Sequence, residues 1–484
     1  GTYQLARSHK LGSLEATLAA LIFSLGGVYA QRLTHGQFEW IAIAWIPFVL
    51  LAVNSFIDKP LLRTACLGGL GLAMIFLDGG PYQFAFFGVF LALYVGVRAF
   101  ELKSVRPFLG LASIGAVSIS LAAIKLMPIF ELIGRYPRET SEDPFYEAPF
   151  TPGALELLNQ MFLSRAQSHD PTQWMPYVLN VGSYVGVLPL FLVAAAIVFA
   201  TRRNAAFLVS GLLALWISLG PAAPIDLWHW LHQLPGLSQL RVPSRFNVYT
   251  LLCIALLAGA GLGVVRERLA ASGRGALVSM AIIGIVASDL VMVNGDIFKV
   301  AFSIPPLPIA NPEPFRQHYA YSPFIERYRE TALYEVHPNW PSGSYPAVLE
   351  NRGVRWAFKT IPFSSYALST QDAGYRGETY FVSGQAEITA LSWSPNRIRV
   401  ETNGAAGLLE FNTNYDPGWR VTGTPQPSLA ERDGLIGVNV PEGCDAVELV
   451  YRPQSFMLGA GVTSLSLLAV LAVVARKKTR GDEA

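Results

Sequence analysis

A helix of roughly 17–25 apolar residues crosses a bilayer whose hydrocarbon core is about 30 Å thick, and no soluble fold needs many of them. Such stretches recur near residues 13–30, 37–56, 63–78, 82–100, 106–133, 181–200, 204–219, 245–265, 275–295 and 456–475. They point to a polytopic α-helical membrane protein with about ten crossings. Composition agrees: only 14% of the 484 residues are charged against 52% hydrophobic, and mean hydropathy is +0.37. A soluble chain of this length would carry far more charge on its surface.

The net charge of +2 is too small to argue for nucleic acid, so the placement of the cations matters more than their sum. Arg7 and Lys10, Lys59 and Arg63, Arg98, Lys103 and Arg106, Arg202 and Arg203, Arg266, Arg268 and Arg274, and the closing "ARKKTR" fall at alternate ends of the apolar runs. By the positive-inside rule those ends are cytoplasmic, and both termini lie inside. The other ends hold residues 29–40, "LDGGPYQ" (77–83), a loop of 47 residues from Gly134 to Asn180, residues 224–246, and a polar block from about 297 to 455. Loops, His and aromatics concentrated on one face mark the working face. Cytoplasmic-membrane localisation with a large domain outside follows.

The polar block changes period. "NRIRVETNGAAGLLEF" (396–411) alternates apolar and polar residues around an Asn-Gly turn, and "GLIGVNV" (434–440) and "AVELVYR" (446–452) repeat the alternation. Half-buried strands read this way, so 297–455 is expected to be an extracytoplasmic β-rich α/β domain inserted before the last helix. Its first half, with "FIERYRET" (324–331), is mixed. The domains expected are 1–296, transmembrane; 297–455, β-rich; and 456–484, a last helix with a basic tail. Cys66, Cys253 and Cys444 offer neither a disulfide pattern nor metal-ligand spacing. The chain opens Gly1-Thr2-Tyr3 without Met, which leads us to expect further sequence upstream.

Several segments together resemble the YfhO family of bacterial membrane proteins, within the GT-C class of glycosyltransferases that use lipid-linked sugars. "QRLTHGQFEWIAIAWIPFVL" (31–50) is similar to the family's Arg-x-x-His-x-Gly corner and the Trp/Leu-Pro helix after it, although here Gly36 follows His35 directly. "DGGPYQ" (78–83) resembles its Gly-His-Pro-Gln turn, with Gly80 or Tyr82 where a His is expected. "AAIKLMPIFELIGRYPR" (122–138) resembles an Ala-x-Gln-Leu-Leu-Pro-x-x-Glu-Leu segment, with Lys125 in place of Gln. "GSYVGVLPL", "LRVPSRF", "NYDPGWRV" and "LVYRPQSFMLG" also fit. Each match is short; their order and spacing carry the resemblance. It implies transfer of a sugar from a polyprenyl-phosphate donor to a cell-surface glycan or teichoic-acid-like acceptor, as in lipoteichoic acid glycosylation, on the extracytoplasmic side. In that class the catalytic carboxylate lies in the first outer loop, between the first two membrane helices; if the chain starts after them, that residue is not in this sequence.

Such chemistry needs donors for a departing phosphate, a carboxylate or imidazole for the acceptor's proton, and aromatic faces for the sugar, all at one membrane depth. Arg32 and His35, three apart, share a helix face if the helix persists. Arg32, Arg241 and Arg245 suit phosphate because a planar guanidinium binds two oxygens at once. The competing reading is that Arg32 and Arg245 snorkel to headgroups, Arg241 pairs with an acid and His35 caps a helix. The catalytic candidates are His35 and Asp78; the substrate-binding candidates are Arg32, Gln37, Gln83, Lys125, Glu131, Arg241 and Arg245. Lys125 stands among apolar residues and calls for a cavity or a partner, whereas Glu131 can pair with Arg135 at i+4. Asp78 can equally satisfy the backbone of a tight turn, and Glu39 can pair with Arg32. His229 and His232 lack a third ligand, so a metal is not assigned, though a divalent ion has room in the scheme. The long loop offers Asp143, Glu147, His169, Asp170 and Trp174 as a cover. "NYDPGWR" (414–420) reads as a structural corner.

Walker A, Rossmann, His-Glu-x-x-His and Gly-x-Ser-x-Gly patterns are absent from the sequence. Two other functions stay open: a non-enzymatic scaffold or glycan-binding protein of cell-envelope assembly, and a lipid-linked-sugar transporter, for which an inverted repeat would be the mark.

Overall fold

The computed structural model describes residues 1–34, 37–136, 153–165, 183–234, 236–238, 240, 242–298, 316–318, 352–354, 366–368, 372–383, 388 and 390–476. His35, Arg241, the five loop residues Asp143, Glu147, His169, Asp170 and Trp174, and "FIERYRET" lie outside them. The chain divides into two compact units. One comprises Gly1–Ala123, Thr140–Ser303 and Gly461–Ala484; the other Ile124–Glu139 and Ile304–Ala460.

The first unit is helical. Among the described residues six helices are long and apolar enough to cross a membrane: Ser13–Leu33, Phe38–Asp58, Pro81–Leu102, Pro243–Arg268, Gly275–Gly295 and Gln454–Ala475. The other expected crossings are helical but shorter or bent, and with the bent pair counted as one span the number is up to seven. Leu62–Leu77, Val187–Thr201 and Arg203–Ser218 are helical but short; at 1.5 Å per residue the 16 residues of Leu62–Leu77 reach about 24 Å. The apolar run 106–133 is broken into Arg106–Leu121 and Ala123–Arg135.

Prolines open several of these helices, at Pro47, Pro81 and Pro107, where a missing N–H costs nothing. Close packing depends on small residues, as among helices in lipid. A Cβ on Gly261 would collide with the Leu192 backbone, and one on Gly211 would stand 2.7 Å from the Cys253 Cβ. Those two contacts show that both arms of the helix Val187–Ser218 pack along Asn247–Arg268. The helix therefore folds back at Ala200, whose φ of −135° and ψ of 17° break it. An aromatic stack of Phe86, Phe90, Trp228, Phe246 and Tyr249 fills the centre, with Phe90 and Tyr249 rings 4.8 Å apart. The helix Gln454–Ala475 instead shows most of its apolar surface, with Leu465, Leu468 and Leu471 exposed, as a helix facing lipid does.

In the second unit, strands β1 (Arg316–His318) and β2 (Arg352–Val354) form a parallel pair. Strands β3 (Thr379–Phe381), β4 (Ala390–Ser394), β5 (Arg397–Glu401), β6 (Gly407–Asn414), β7 (Trp419–Thr422), β8 (Ser428–Arg432), β9 (Leu435–Val440) and β10 (Ala446–Tyr451) form two four-stranded sheets, ordered β4-β5-β10-β7 and β3-β6-β9-β8. Ile398, Val400, Val447 and Leu449 of one sheet pack with Leu409, Phe411, Ile436 and Val438 of the other, so this is an antiparallel β-sandwich. The alternation read in the sequence is the burial pattern of β5, in which Ile398 and Val400 point inward. The Asn-Gly turn does not close a hairpin. Asn403 and Gly404, with φ of 50° and 77°, carry the chain from one sheet to the other.

Candidate functional site

Three segments far apart in the sequence meet within the first unit: the corner 31–40, the turn 78–83 and the segment 242–247. Arg32 ends the helix Gly27–Thr34 and is 3% exposed. It is held on two sides. Its Nη1 donates to the Gln37 side-chain oxygen at 2.8 Å, and its guanidinium lies 4.1 Å from the centre of the Trp40 ring. Gln37 can fill that role because its N–H bonds back to the Arg32 carbonyl at 3.0 Å, folding the corner onto the helix end. The charges that act on Arg32 are Arg245, which repels it, and Glu39, which attracts it.

Arg245 comes from a strained turn. Val242, a β-branched residue, has φ of +65°, and its carbonyl accepts the Arg245 N–H at 3.1 Å. Branched side chains rarely tolerate that region, and such strain gathers where geometry serves function. The Arg245 guanidinium lies 5.0 Å from the Tyr82 ring centre, so Tyr82 of the 78–83 turn does for Arg245 what Trp40 does for Arg32.

Buried polar atoms lie on the same segments and the helix that follows. Ser244 Oγ, both Asn247 side-chain atoms, Thr250 Oγ1 and Gln83 Oε1 make no hydrogen bond among the described residues. Native interiors hold few such atoms, and those that occur ask for water or a ligand. Gln83 belongs to the same turn as Tyr82, with Gly80 beside its side-chain oxygen.

Asp78 is exposed and caps the helix Leu62–Leu77, its N–H bonded to the Met74 carbonyl at 2.9 Å. Its carboxylate accepts the Trp45 indole N–H at 2.9 Å rather than the amides of its own turn. Gly79, with φ of +102°, lies against the Glu39 Cβ, which joins the turn to the Arg32 corner.

Lys125 and Glu131 belong to the second unit. Lys125 is half-buried, and Glu131 forms an ion pair with Arg135, which also bonds Asp416 at 2.9 Å. In the corner "NYDPGWR" the Asp416 side chain accepts the Gly418 N–H at 2.7 Å, and Trp419 packs on Tyr451 with ring centres 5.2 Å apart, which is structural work. His229 Nε2 lies 2.9 Å from the Gln233 amide nitrogen and His232 Nε2 2.7 Å from the Leu240 carbonyl. Among the described residues no three His, Cys, Asp or Glu side chains gather to hold a metal.

Sequence reasoning named Tyr82 only as standing where the resemblance expects a His, and did not single out the aromatic partner Trp45, nor Ser244 and Asn247. It also passed over Asp289, which accepts the Tyr184 hydroxyl at 2.7 Å and pairs with Arg165. An acid inside the apolar run "IIGIVASDLVMV" was the available signal. No protein-family model matches the chain, and no curated protein or solved structure is detectably similar to it.

Proposed function

We propose that this protein is a membrane glycosyltransferase of GT-C-like, YfhO-like type, moving a sugar from a polyprenyl-phosphate donor to a cell-envelope glycan or teichoic-acid-like acceptor on the extracytoplasmic side. In this reading the short helices also cross or enter the bilayer, making about ten crossings with both termini inside. The observation that carries it is the pairing of two guanidiniums, Arg32 and Arg245, brought together from distant segments and each backed by an aromatic ring. Arg32 is buried and Arg245 half-buried; two guanidiniums at the ends of membrane helices suit an anion, and a lipid phosphate at the interface is the anion a membrane supplies.

The step is a displacement at the anomeric carbon. An acceptor hydroxyl forms the new C–O bond, the bond from the anomeric carbon to the phosphate oxygen breaks, and its electron pair stays on the polyprenyl phosphate. Arg32 and Arg245 would stabilise that developing charge, and Asp78 or His35 would take the hydroxyl proton. The test is the full-length protein in liposomes with polyprenyl-phosphate hexoses, reading acceptor-dependent loss of sugar from the lipid by mass spectrometry. Loss of turnover in Arg32→Ala and Arg245→Ala, with the protein still in the membrane, supports the reading; unchanged turnover removes these residues from the site.

A second reading rests on the sandwich, which has its own core and forms a separate compact unit, as a glycan-binding or scaffold module would. Glycan binding by the full chain that survives Arg245→Ala, without turnover of any donor, would favour it.

A further inference from the structure

The helix Asn247–Arg268 has 22 residues and rises about 33 Å, close to the thickness of a bilayer core. Arg245 precedes one end of it; Arg266 marks the other. At that second, basic end lies a cavity of about 480 Å³ lined by Lys10, Glu15, Phe199, Arg203, Arg266 and Glu267 among others.

Its origin is a mismatch of lengths. The arms Val187–Thr201 and Arg203–Ser218 are too short to match the 26-residue span Pro243–Arg268 beside which they pack. The cavity lies at that step, between the break at Ala200, the end of the long helix and the turn from Lys10 to Glu15. Its walls differ in kind. Val198 and Phe199 are exposed apolar residues, and Arg268 lies 3.6 Å from the centre of the Phe199 ring. Lys10, Arg203 and Arg266 supply cations. Glu15 is 1% exposed and bonds Arg266 through one oxygen at 2.5 Å, while its second oxygen, Oε2, has no hydrogen-bond partner among the described residues.

A ligand suited to these walls carries a phosphate for the cations, a donor for the spare carboxylate oxygen, and a hydrocarbon part for the apolar rim. We propose that the cavity binds the headgroup of a phospholipid whose phosphodiester bears a hydroxyl or ammonium donor. The phosphate sits by Lys10 and Arg203, and the donor reaches Glu15. This site is at the far end of the bundle from Arg32 and Arg245 and is independent of the transferase reading.

The experiment uses the full chain, delipidated in detergent, with lipid binding read by native mass spectrometry and thermal unfolding. The probes are phosphatidylglycerol, phosphatidylethanolamine, phosphatidylcholine and inorganic phosphate. We expect phosphatidylglycerol and phosphatidylethanolamine to bind and raise the unfolding temperature, and phosphatidylcholine, which has no donor, to bind more weakly. Lys10→Ala and Arg203→Ala should each weaken binding roughly tenfold, as loss of one charge-assisted contact does. Arg245→Ala should leave it unchanged. Arg203 also donates to the His9 carbonyl at 2.8 Å, so if Arg203→Ala misfolds, the exposed Lys10 carries the test alone. Equal binding by the Lys10 variant and the native chain would overturn the proposal. So would stabilisation by inorganic phosphate alone, which would assign the cavity to a free anion.

Discussion

The two ends of one helix pair carry arginines in opposite circumstances. Where Ser13–Leu25 begins and Asn247–Arg268 finishes, Arg266 meets Glu15, a carboxylate of opposite sign at 2.5 Å. Where the chain leaves the first helix and enters the second, Arg32 feels Arg245, a charge of the same sign, and Glu39, a charge of the opposite one. A matched pair across two packed helices is what folding alone would select. A like pair, each member beside an aromatic ring, Trp40 or Tyr82, is instead what an anion site would hold. The matched end should therefore govern stability and the mismatched end activity.

The largest effect expected is on turnover. Removing one positioned donor from a developing charge costs about 10²–10³ in rate, so Arg32→Ala and Arg245→Ala should each lose that much sugar transfer in the liposome assay. Arg245→Ala should at the same time leave the unfolding temperature nearly unchanged, since the repulsion on Arg32 that it relieves offsets the contact with Tyr82 that it loses. A fall in stability as large as the fall in activity would erase the distinction between the two ends.

Arg266→Ala should show the reverse. It leaves the buried Glu15 carboxylate without its cation, a loss on the order of 3 kcal/mol for a buried pair. Arg266 is 41% exposed, so the figure is an upper one after solvent screening. Thermal unfolding should drop while transfer per folded molecule persists. Gly261→Ala acts on the same helix through packing: its methyl group meets the Leu192 backbone, which cannot rotate away. Overpacking of that kind costs about 1–3 kcal/mol, and a lowered unfolding temperature with unchanged donor affinity is the expected result.

How much of this was legible beforehand differs between the two kinds of helix residue. Apolar runs are local, so each stretch marked as a crossing holds helix among its described residues; whether Leu62–Leu77 reaches across could not be read, because length is judged against neighbours. The strands at 397–401, 435–440 and 446–451 were legible from alternation. Their partners were not, since the Asn403-Gly404 turn looks the same whether it closes a hairpin or changes sheets. Within the site, Arg32, Gln37, Gln83 and Arg245 were visible as polar residues at the ends of apolar runs. Trp40 and Tyr82 were not singled out as partners of an arginine, because an aromatic beside a membrane helix is ordinary until a guanidinium is found over it. Asp78 was expected to satisfy its own turn; its actual partner, Trp45, is 33 residues away, beyond what local sequence shows.

The smallest effect expected is a pH dependence confined to the basic end. His9 accepts a bond from Asn54, whose side-chain oxygen in turn accepts the Tyr94 hydroxyl at 2.9 Å. Burial, and then the charges of Arg98 and Arg203, lower the His9 pKa to about 4. In the unfolded chain it returns to about 6.5. Between those values the unfolded state binds the proton and the folded state does not, so stability falls as pH drops through that window and is level above it. At pH 5.5 the loss should be about 1 kcal/mol. His9→Gln, which keeps an acceptor for Asn54 but cannot titrate, should flatten the unfolding temperature between pH 6.5 and 4.5. If the slope persists in that variant, the acid sensitivity belongs to another group, and Arg98 and Arg203 do not hold His9 neutral. If it vanishes, the acid sensitivity of the basic end belongs to His9, held neutral first by burial and then by Arg98 and Arg203.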